Sequence, residues 1–217
     1  GCSEETAISD LRASGASRSF SPNIWFEIDS AGLININISK AEMGQHVGTA
    51  LARIIADELG ADWSKVSITH VDTAAKWGAM VTGGSWSVWT SFTQLSQAGA
   101  AGRTILIEAA SKLLGVDKSL CKVLKGHVVA GDRQLSFANI VAKGDISRSF
   151  SEDELATMPV KLASQRTLIG KPVTALDVPA KTQGTAVYGL DAELPGMVYA
   201  HPLIPPTRYG SSIVSID

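Results

Sequence analysis

The chain has 217 residues, of which 45% are hydrophobic and 18% are charged, and its formal net charge is −2. A chain of this length and composition can bury a core, and its nearly balanced charge argues against a nucleic-acid-binding surface, which would show an excess of basic residues. Its two cysteines, Cys2 and Cys121, cannot supply the ligands of an iron–sulfur cluster.

Residues 1–21 are small, polar and aperiodic, and this composition predicts a flexible N-terminal arm. Cys2 follows Gly1, and a Gly-Cys-Ser sequence at this point has two interpretations. It could be the remnant of a bacterial lipoprotein processing site, or Cys2 could be an ordinary thiol. The residues alone leave both interpretations open.

A β-hairpin is predicted after the arm. Apolar and polar residues alternate in Ile24–Ile28 and again in Leu33–Ile38, and Ala31-Gly32 between them is typical of a hairpin turn. The alternation predicts two antiparallel strands with one buried face each.

The first helix is predicted over Val47–Leu59, where apolar residues recur at helical spacing and Gly60 follows as a stop signal. Arg53, Asp57 and Glu58 lie off the apolar stripe of this helix. We therefore expect these three side chains on a solvated face.

A strand over Val66–Val71 and a long helix over Ser87–Leu114 follow. The helix has almost no side-chain bulk in its middle, at Ala98–Gly102, which indicates that another helix or a cofactor approaches it closely. Three tryptophans are expected mainly in the core: Trp77, Trp86 and Trp89. Trp86 could instead form the wall of a pocket.

The second half of the chain is predicted to be richer in strands. Cys121 lies among apolar residues and is expected to be buried as a small hydrophobic residue. The predicted elements are a strand at His127–Ala130, a strand entry and short helix in Leu135–Ala142, and strands at Thr185–Tyr188, Met197–Leu203 and Ile213–Ile216.

Two glycine-rich loops stand out between the early elements. The first is the Gly44-Gln45 turn before the first helix, and the second is Thr82-Gly83-Gly84-Ser85 before the long helix. Backbone N–H groups without side chains at a helix N-terminus can bind a polyanion. Judged on spacing alone, the two loops are more often ordinary turns.

The order of several segments resembles a known family. These segments are AEMGQHVGTALARIIADELGADWSKVSI, MVTGGSWSV, AGAAGR and the later LIGKPVTALDVPAKTQGTAVYGLDAELPGMVYAHPL. Together they resemble the molybdenum hydroxylases, and most of all the large, molybdopterin-binding subunit of the isoquinoline 1-oxidoreductase type, within the xanthine dehydrogenase and aldehyde oxidase superfamily. The resemblance extends from Pro22 to Asp217 and concerns only the N-terminal part of that subunit.

The resemblance implies an α+β fold. Residues 22–146 would form part of a mixed sheet-and-helix molybdopterin-binding module, residues 147–166 a connection, and residues 167–217 the start of an α/β-hammerhead-like module. The remainder of the large subunit, on the same or a separate chain, would then complete the fold. It would also supply the glutamate that serves as general base, because no residue of this sequence matches that motif.

The resemblance also assigns site residues. Gln45, in the Met-Gly-Gln turn, would lie beside the molybdenum and take part in catalysis, and Gly44 would let the backbone come close to the cofactor. Thr82, Gly83, Gly84, Ser85 and Ser87 match the loop that hydrogen-bonds the pterin and its diphosphate. His46 replaces a common glycine, and we expect it to act as a hydrogen-bonded residue at the helix start. No side chain is assigned as a metal ligand.

The function implied is the insertion of water-derived oxygen into an aldehyde or N-heteroaromatic carbon. The cofactor would be molybdopterin cytosine dinucleotide with molybdenum, and the electrons would pass to an iron–sulfur partner chain, with a cytochrome c as one candidate acceptor. Relatives of this type suggest a periplasmic location, with membrane association through an N-terminal lipid or a partner. The alternative is a non-catalytic scaffold fragment that contributes a partner surface and no complete active site.

Overall fold

The structure is a computed structural model that describes residues 18–216, so the predicted arm over residues 1–21, with Cys2, lies almost wholly outside the described residues. The chain divides after Ala186 into two compact units. The first unit contains a four-stranded sheet, a three-stranded sheet and two long helices, and the predicted α+β class is therefore confirmed. No helix among residues 18–216 has the length and apolarity needed to cross a membrane.

The first sheet has the strand order β1-β2-β3-β4. Its strands are β1 (Phe20–Asn23), β2 (Phe26–Ile28), β3 (Ile34–Ile38) and β4 (Val66–His70). The predicted hairpin is confirmed, because β2 and β3 pair antiparallel. The end of the predicted arm is wrong, since Phe20 begins β1 and is only 1% exposed. A single buried aromatic residue in a polar stretch gives no alternating pattern from which to recognise a strand.

Strands β3 and β4 are parallel, and α1 (Val47–Leu59) connects them. Ile34 is paired with Val66 and Ile38 with His70, so both strands end at the same edge of the sheet. The two segments that leave this edge are the turn that starts α1 and the segment that leads to the long helix. The pairing of two parallel strands thus brings the two glycine-rich loops to one side of the molecule.

Helix α2 (Ser87–Leu114) packs across α1, and its glycines explain how closely they approach. A Cβ atom on Gly99 would lie 2.7 Å from Cβ of Glu58 and 2.9 Å from the carbonyl oxygen of Ile55. A Cβ atom on Gly102 would lie 2.5 Å from the ring of Phe26. Of the two explanations for the small residues in α2, close packing against another element is the one that the structure supports.

The prediction that Asp57 lies on a solvated face is wrong. Its side chain is fully buried, and its carboxylate accepts hydrogen bonds from three consecutive backbone N–H groups, those of Thr167 (3.0 Å), Leu168 (3.1 Å) and Ile169 (2.8 Å). The ammonium group of Lys161 lies 3.8 Å from the same carboxylate. The buried charge therefore has both a counter-ion and a set of donors.

The same prediction is wrong for Glu58, which is also fully buried. Its carboxylate contacts Arg103 at 2.7 Å and Arg166 at 3.0 Å, and it accepts a hydrogen bond from the backbone N–H of Lys161 at 3.1 Å. Arg53, which is half-buried, donates to the carbonyl oxygen of Leu168 at 2.5 Å. These contacts attach residues 159–171, which we call the crossing segment, to α1 and α2.

The second sheet is antiparallel throughout, in the order β5-β6-β7. Among the described residues, the remaining strands and α-helices of the first unit are β5 (Lys122–Leu124), β6 (His127–Ala130), β7 (Arg133–Ser136), α3 (Phe137–Lys143), α4 (Glu152–Ala156) and α5 (Val178–Thr182). The predicted strand at His127–Ala130 is confirmed, and so are the short helix after β7 and the burial of Cys121, which is 7% exposed.

The predicted strands at Thr185–Tyr188, Met197–Leu203 and Ile213–Ile216 are wrong, because the structure has no strand among residues 185–216. Their apolar side chains are exposed, with Leu203 at 96% and Val214 at 95%. A strand requires a neighbouring strand that pairs with its backbone N–H and C=O groups. The described residues offer none here, and an apolar pattern alone does not supply one.

Candidate functional site

The Gln45 turn begins α1 with an unusual backbone. Gly44 has a φ of +100° and His46, at the N-cap of α1, has a φ of +60°. The Gln45 side chain closes this turn, because its Oε1 accepts from the N–H of Met43 at 2.6 Å and its Nε2 donates to the carbonyl oxygen of Ala41 at 2.9 Å. A carboxamide has two donor and two acceptor positions. Within residues 18–216, one of each therefore stays free on the exposed Gln45 side chain.

The second loop is attached to the first turn by hydrogen bonds. Thr82 Oγ1 accepts from the N–H of Ala41 at 2.9 Å. The ammonium group of Lys40, a buried residue, donates to the carbonyl oxygens of Ala79 at 2.7 Å and Val81 at 3.2 Å. These bonds fix the two loops relative to each other.

A cavity of about 440 Å³ lies between the two loops. Gly44 belongs to the turn beside it, and all the other residues predicted for the site line it. The lining residues are Met43, Gln45, Val47, Ala50, Thr82, Gly83, Gly84, Ser85, Ser87 and Val88. The structure therefore brings the candidate residues together in one place, although they come from segments about 40 residues apart. Their assignment as a cofactor site stays a prediction.

The Gly83–Ser85 loop offers backbone N–H groups to this cavity. Within residues 18–216, the N–H groups of Gly83, Gly84 and Ser85 donate no hydrogen bond. Gly84 and Ser85 have φ values of +56° and +60°, and Gly83 has open space where a Cβ atom would stand. Successive free N–H groups in such a turn are suited to an anion.

Two of the three tryptophans that are expected in the core do not lie there. Trp77 is buried, at 8% exposed, but Trp86 is 57% and Trp89 67% exposed. A Cβ atom on Gly84 would lie 2.8 Å from Nε1 of Trp86, so the indole covers the loop rather than the hydrophobic core. Helical spacing predicts which residues share a face but not whether a neighbour covers that face.

A charged cluster behind the Gln45 turn was not predicted from the sequence. Glu42 Oε1 accepts from the N–H groups of Gly44 (2.8 Å) and His46 (3.0 Å) and contacts Lys181 Nζ at 3.0 Å. Lys181 also contacts Asp177, whose carboxylate lies 2.7 Å from His46 Nδ1. The expected hydrogen-bonded role of His46 is confirmed. The only signal in the sequence was the i, i+4 spacing of Asp177 and Lys181.

The cluster shifts the pKa values of its groups. Burial raises the pKa of Glu42, but the hydrogen bonds from Lys181 and from the His46 and Gly44 N–H groups outweigh burial and leave it below 4.5. Burial likewise raises the pKa of Asp177, and the hydrogen bonds from Lys181 and His46 lower it overall. Hydrogen bonding to Asp177 and Glu42 raises the pKa of Lys181 to about 12.

These directions predict how stability depends on pH. A carboxylate whose pKa is lowered in the folded state stabilises the fold above its unfolded pKa, and this stabilisation is lost as the pH falls through the folded pKa. At neutral pH we expect Glu42→Gln to lower the free energy of unfolding by about 1–2 kcal/mol. The difference from the wild type should shrink as the pH falls below 4.5, the ordinary pKa of a glutamate, towards the lowered folded pKa. Urea unfolding at several pH values measures it, with the exposed Glu193→Gln as control, and a difference that persists unchanged at pH 3 would contradict the assignment.

A larger cavity of about 910 Å³ lies elsewhere in the first unit, beside Cys121 and the crossing segment. None of the predicted site residues lines it. Among residues 18–216, no group of three or more His, Cys, Asp or Glu side chains is arranged to hold a metal ion.

Comparison with protein families gives a match to a model described as the molybdopterin cofactor-binding domain, over residues 6–173. The chain is also similar to part of a solved structure, quinoline 2-oxidoreductase from Pseudomonas putida 86. That likeness has 22% identity and a TM-score of 0.41 and covers 62% of this chain and 17% of the other.

Three curated proteins are similar over most of the chain. A membrane-bound aldehyde dehydrogenase from Gluconacetobacter polyoxogenes is 56% identical over 91% of this chain and 26% of its own length. Its name includes pyrroloquinoline quinone. The beta subunit of isoquinoline 1-oxidoreductase from Brevundimonas diminuta is 29% identical over 83% of this chain and 28% of its own. A subunit of nicotinate dehydrogenase from Pseudomonas putida is 25% identical over 89% and 17%. The chain thus spans less than a third of each relative.

Proposed function

Because this chain belongs to the family of molybdopterin cofactor-binding domains, we propose that it forms the cofactor-holding part of a molybdenum-dependent oxidoreductase. Its substrate would be an aldehyde or an N-heteroaromatic compound. The names of the relatives support this class, since they describe oxidoreductases of aldehyde, isoquinoline and nicotinate. The chain would supply part of the active site, and further residues of the large subunit would supply the rest, including a general base.

One observation carries this proposal. The Gln45 turn and the Thr82–Ser85 loop, which were assigned to a cofactor from the sequence, converge on one cavity of about 440 Å³. The parallel pairing of β3 and β4 brings the loops together in either case, but the alternative of a scaffold fragment gives no reason for the N–H groups of Gly83, Gly84 and Ser85 to be free.

The residues that line the cavity fit a polyanionic pterin cofactor. The free N–H groups of Gly83, Gly84 and Ser85, together with the Ser87 hydroxyl, would hold phosphate oxygens. The free donor and acceptor positions of Gln45 would orient the polar edge of the cofactor. The molybdenum centre, when bound, supplies the two-electron oxidation and the oxygen transfer. The residues of this chain would bind and orient it, and the exposed Trp86 would restrict access of water to the loop.

The finer features of the holoenzyme are part of the same proposal. The cofactor would be the cytosine dinucleotide form, and the electrons would leave through iron–sulfur clusters on a partner chain, with a cytochrome c as one candidate acceptor. A subunit designation in the names of two relatives supports a complex of several chains. A periplasmic location, with association with the membrane through a partner or an N-terminal lipid, belongs to the same proposal, and the name of the membrane-bound relative supports the membrane association alone.

The first test is elemental analysis of the protein purified from its natural source. We expect about one molybdenum per chain in the wild type. Gly83→Asp should reduce the affinity for the cofactor by at least about tenfold, because like charges about 4 Å apart cost about 4 kcal/mol at an effective dielectric constant of 20. Ala31→Asp, in the exposed hairpin turn, is the matched control and should keep its molybdenum.

Extraction and spectroscopy of any organic cofactor complete the test, because one relative is named with pyrroloquinoline quinone. A folded protein with that quinone and no molybdenum would overturn the proposal in favour of a quinone-dependent dehydrogenase. A folded native complex with neither group would favour the non-catalytic scaffold.

A further inference from the structure

The charged cluster behind the Gln45 turn contains two carboxylates and one ammonium group. Lys181 Nζ contacts Glu42 Oε1 at 3.0 Å and also contacts Asp177, whereas the imidazole of His46 contacts the carboxylate of Asp177 and not that of Glu42. Glu42 Oε2 is buried and has no hydrogen-bond partner within residues 18–216. Lys181 is therefore the single cation of the described chain that touches the Glu42 carboxylate.

Glu42 transmits this contact to Gln45 through the backbone. Its Oε1 binds the N–H groups of Gly44 and His46, the residues on either side of Gln45. His46 occupies the N-cap of α1 and makes no capping side-chain bond, and Glu42 accepts from the backbone N–H of this N-cap residue. A displacement of the Glu42 carboxylate would thus release both peptide groups that flank Gln45, and its amide would move with them.

The residues around Lys181 are fixed to the start of α1 by a further bond. The backbone N–H of Leu176 donates to Thr49 Oγ1 at 2.9 Å, and Thr49 lies in the first turn of α1. Lys181 and Asp177, four residues apart, then present one ammonium and one carboxylate to the Gln45 turn. Both residues lie beyond residues 6–173, the part of the chain that the family model matches.

We propose that Lys181 is a positioning residue for Gln45, with Asp177 orienting its ammonium group. Residues 176–181 form a latch that keeps the Met43–His46 turn in the conformation that meets the cofactor. The identity of the cofactor rests on the proposed function, whereas the effect of the latch on the turn can be measured without any cofactor.

Hydrogen exchange of the backbone amides in the full protein tests the latch directly. Lys181→Met, which keeps the length of the side chain and removes its charge, should accelerate exchange at Gly44 and His46 by about tenfold or more. Asp177→Asn should accelerate the same amides. Lys181→Arg keeps the charge and should restore slow exchange. Lys171→Met is the matched control, because Lys171 is exposed and its side chain makes no contact with the turn.

Retention of molybdenum during dialysis is the second readout. We expect the Lys181→Met protein to lose the metal about tenfold faster than the wild type and the Lys171→Met protein, with the Lys181→Arg protein close to the wild type. Unchanged exchange at Gly44 and His46 in Lys181→Met, or equally fast exchange in Lys181→Arg, would overturn the latch. A wild type without molybdenum would overturn the proposed function alone, since the exchange rates would still decide whether the latch holds the turn.

Discussion

Replacing Asp57 by asparagine is expected to lower the free energy of unfolding by about 3–5 kcal/mol. The carboxylate is fully buried and accepts from the N–H groups of Thr167, Leu168 and Ile169. An asparagine of the same volume has one acceptor oxygen instead of two and turns an NH₂ group towards these donors. It also removes the ionic contact of the Lys161 ammonium with that carboxylate, while the hydrogen bond from Lys161 to the Asp57 carbonyl oxygen remains. Buried N–H groups without acceptors are among the costliest defects in a folded protein.

Asp57→Asn should also detach the crossing segment from α1 before the rest of the protein unfolds. Limited digestion with trypsin measures this release, because Lys161 and Arg166 are cleavage sites in the crossing segment. Asp132→Asn, at an exposed turn between β6 and β7, controls for the loss of a negative charge. Equal urea midpoints and equal digestion rates for the two variants would show that the buried carboxylate does not hold the crossing segment.

A valine in place of Gly99 should destabilise the protein by about 3 kcal/mol or more. The first atom of any side chain at Gly99 would lie 2.9 Å from the backbone carbonyl oxygen of Ile55 and 2.7 Å from Cβ of Glu58. The backbone of α1 cannot move away without disturbing the buried Glu58 and its contact with Arg103. Valine has a higher helix propensity than glycine, so a loss of stability must come from packing.

Thermal and urea unfolding of Gly99→Val, compared with Thr93→Val on the exposed face of the same helix, separates packing from propensity. We expect the Thr93 variant to stay within about 0.5 kcal/mol of the wild type. If the two variants were equally stable, α1 and α2 would not be in the close contact that the structure shows.

The order of the elements in the first unit could be read from the sequence largely because their patterns are local. The alternation of Ile34, Ile36 and Ile38 predicts a strand, and the apolar stripe that ends at Leu59 predicts a helix. Burial of the charged residues Asp57 and Glu58 could not be predicted in this way. The residues that cover them, such as Lys161 and Arg166, are about 100 positions away in the sequence. The periodicity of a helix shows which of its faces is apolar, but it does not show which distant segment packs against the other faces.

The candidate site was predictable to the same degree and for the same reason. Gln45 and the Thr82–Ser85 loop were recognised from motifs whose residues are adjacent in the sequence. The partners of Glu42 were not recognised, because Lys181 follows it by 139 residues and a lysine four residues after an aspartate is common on exposed helices. The pairing of β3 with β4 explains why the loops meet, and a parallel pairing has no turn signal that marks it in the sequence.

The separation between Glu42 and Lys181 also sets an order for assembly of the site during synthesis. Ribosomes add about 5–20 residues per second, so the 139 residues between the two partners take about 7–28 s to translate. Until then the nascent Met43–His46 turn lacks its distant cation, although α1 and β4 have already been synthesised. If the proposed latch holds the Met43–His46 turn, this turn reaches its final conformation only after the segment with Lys181 has been made.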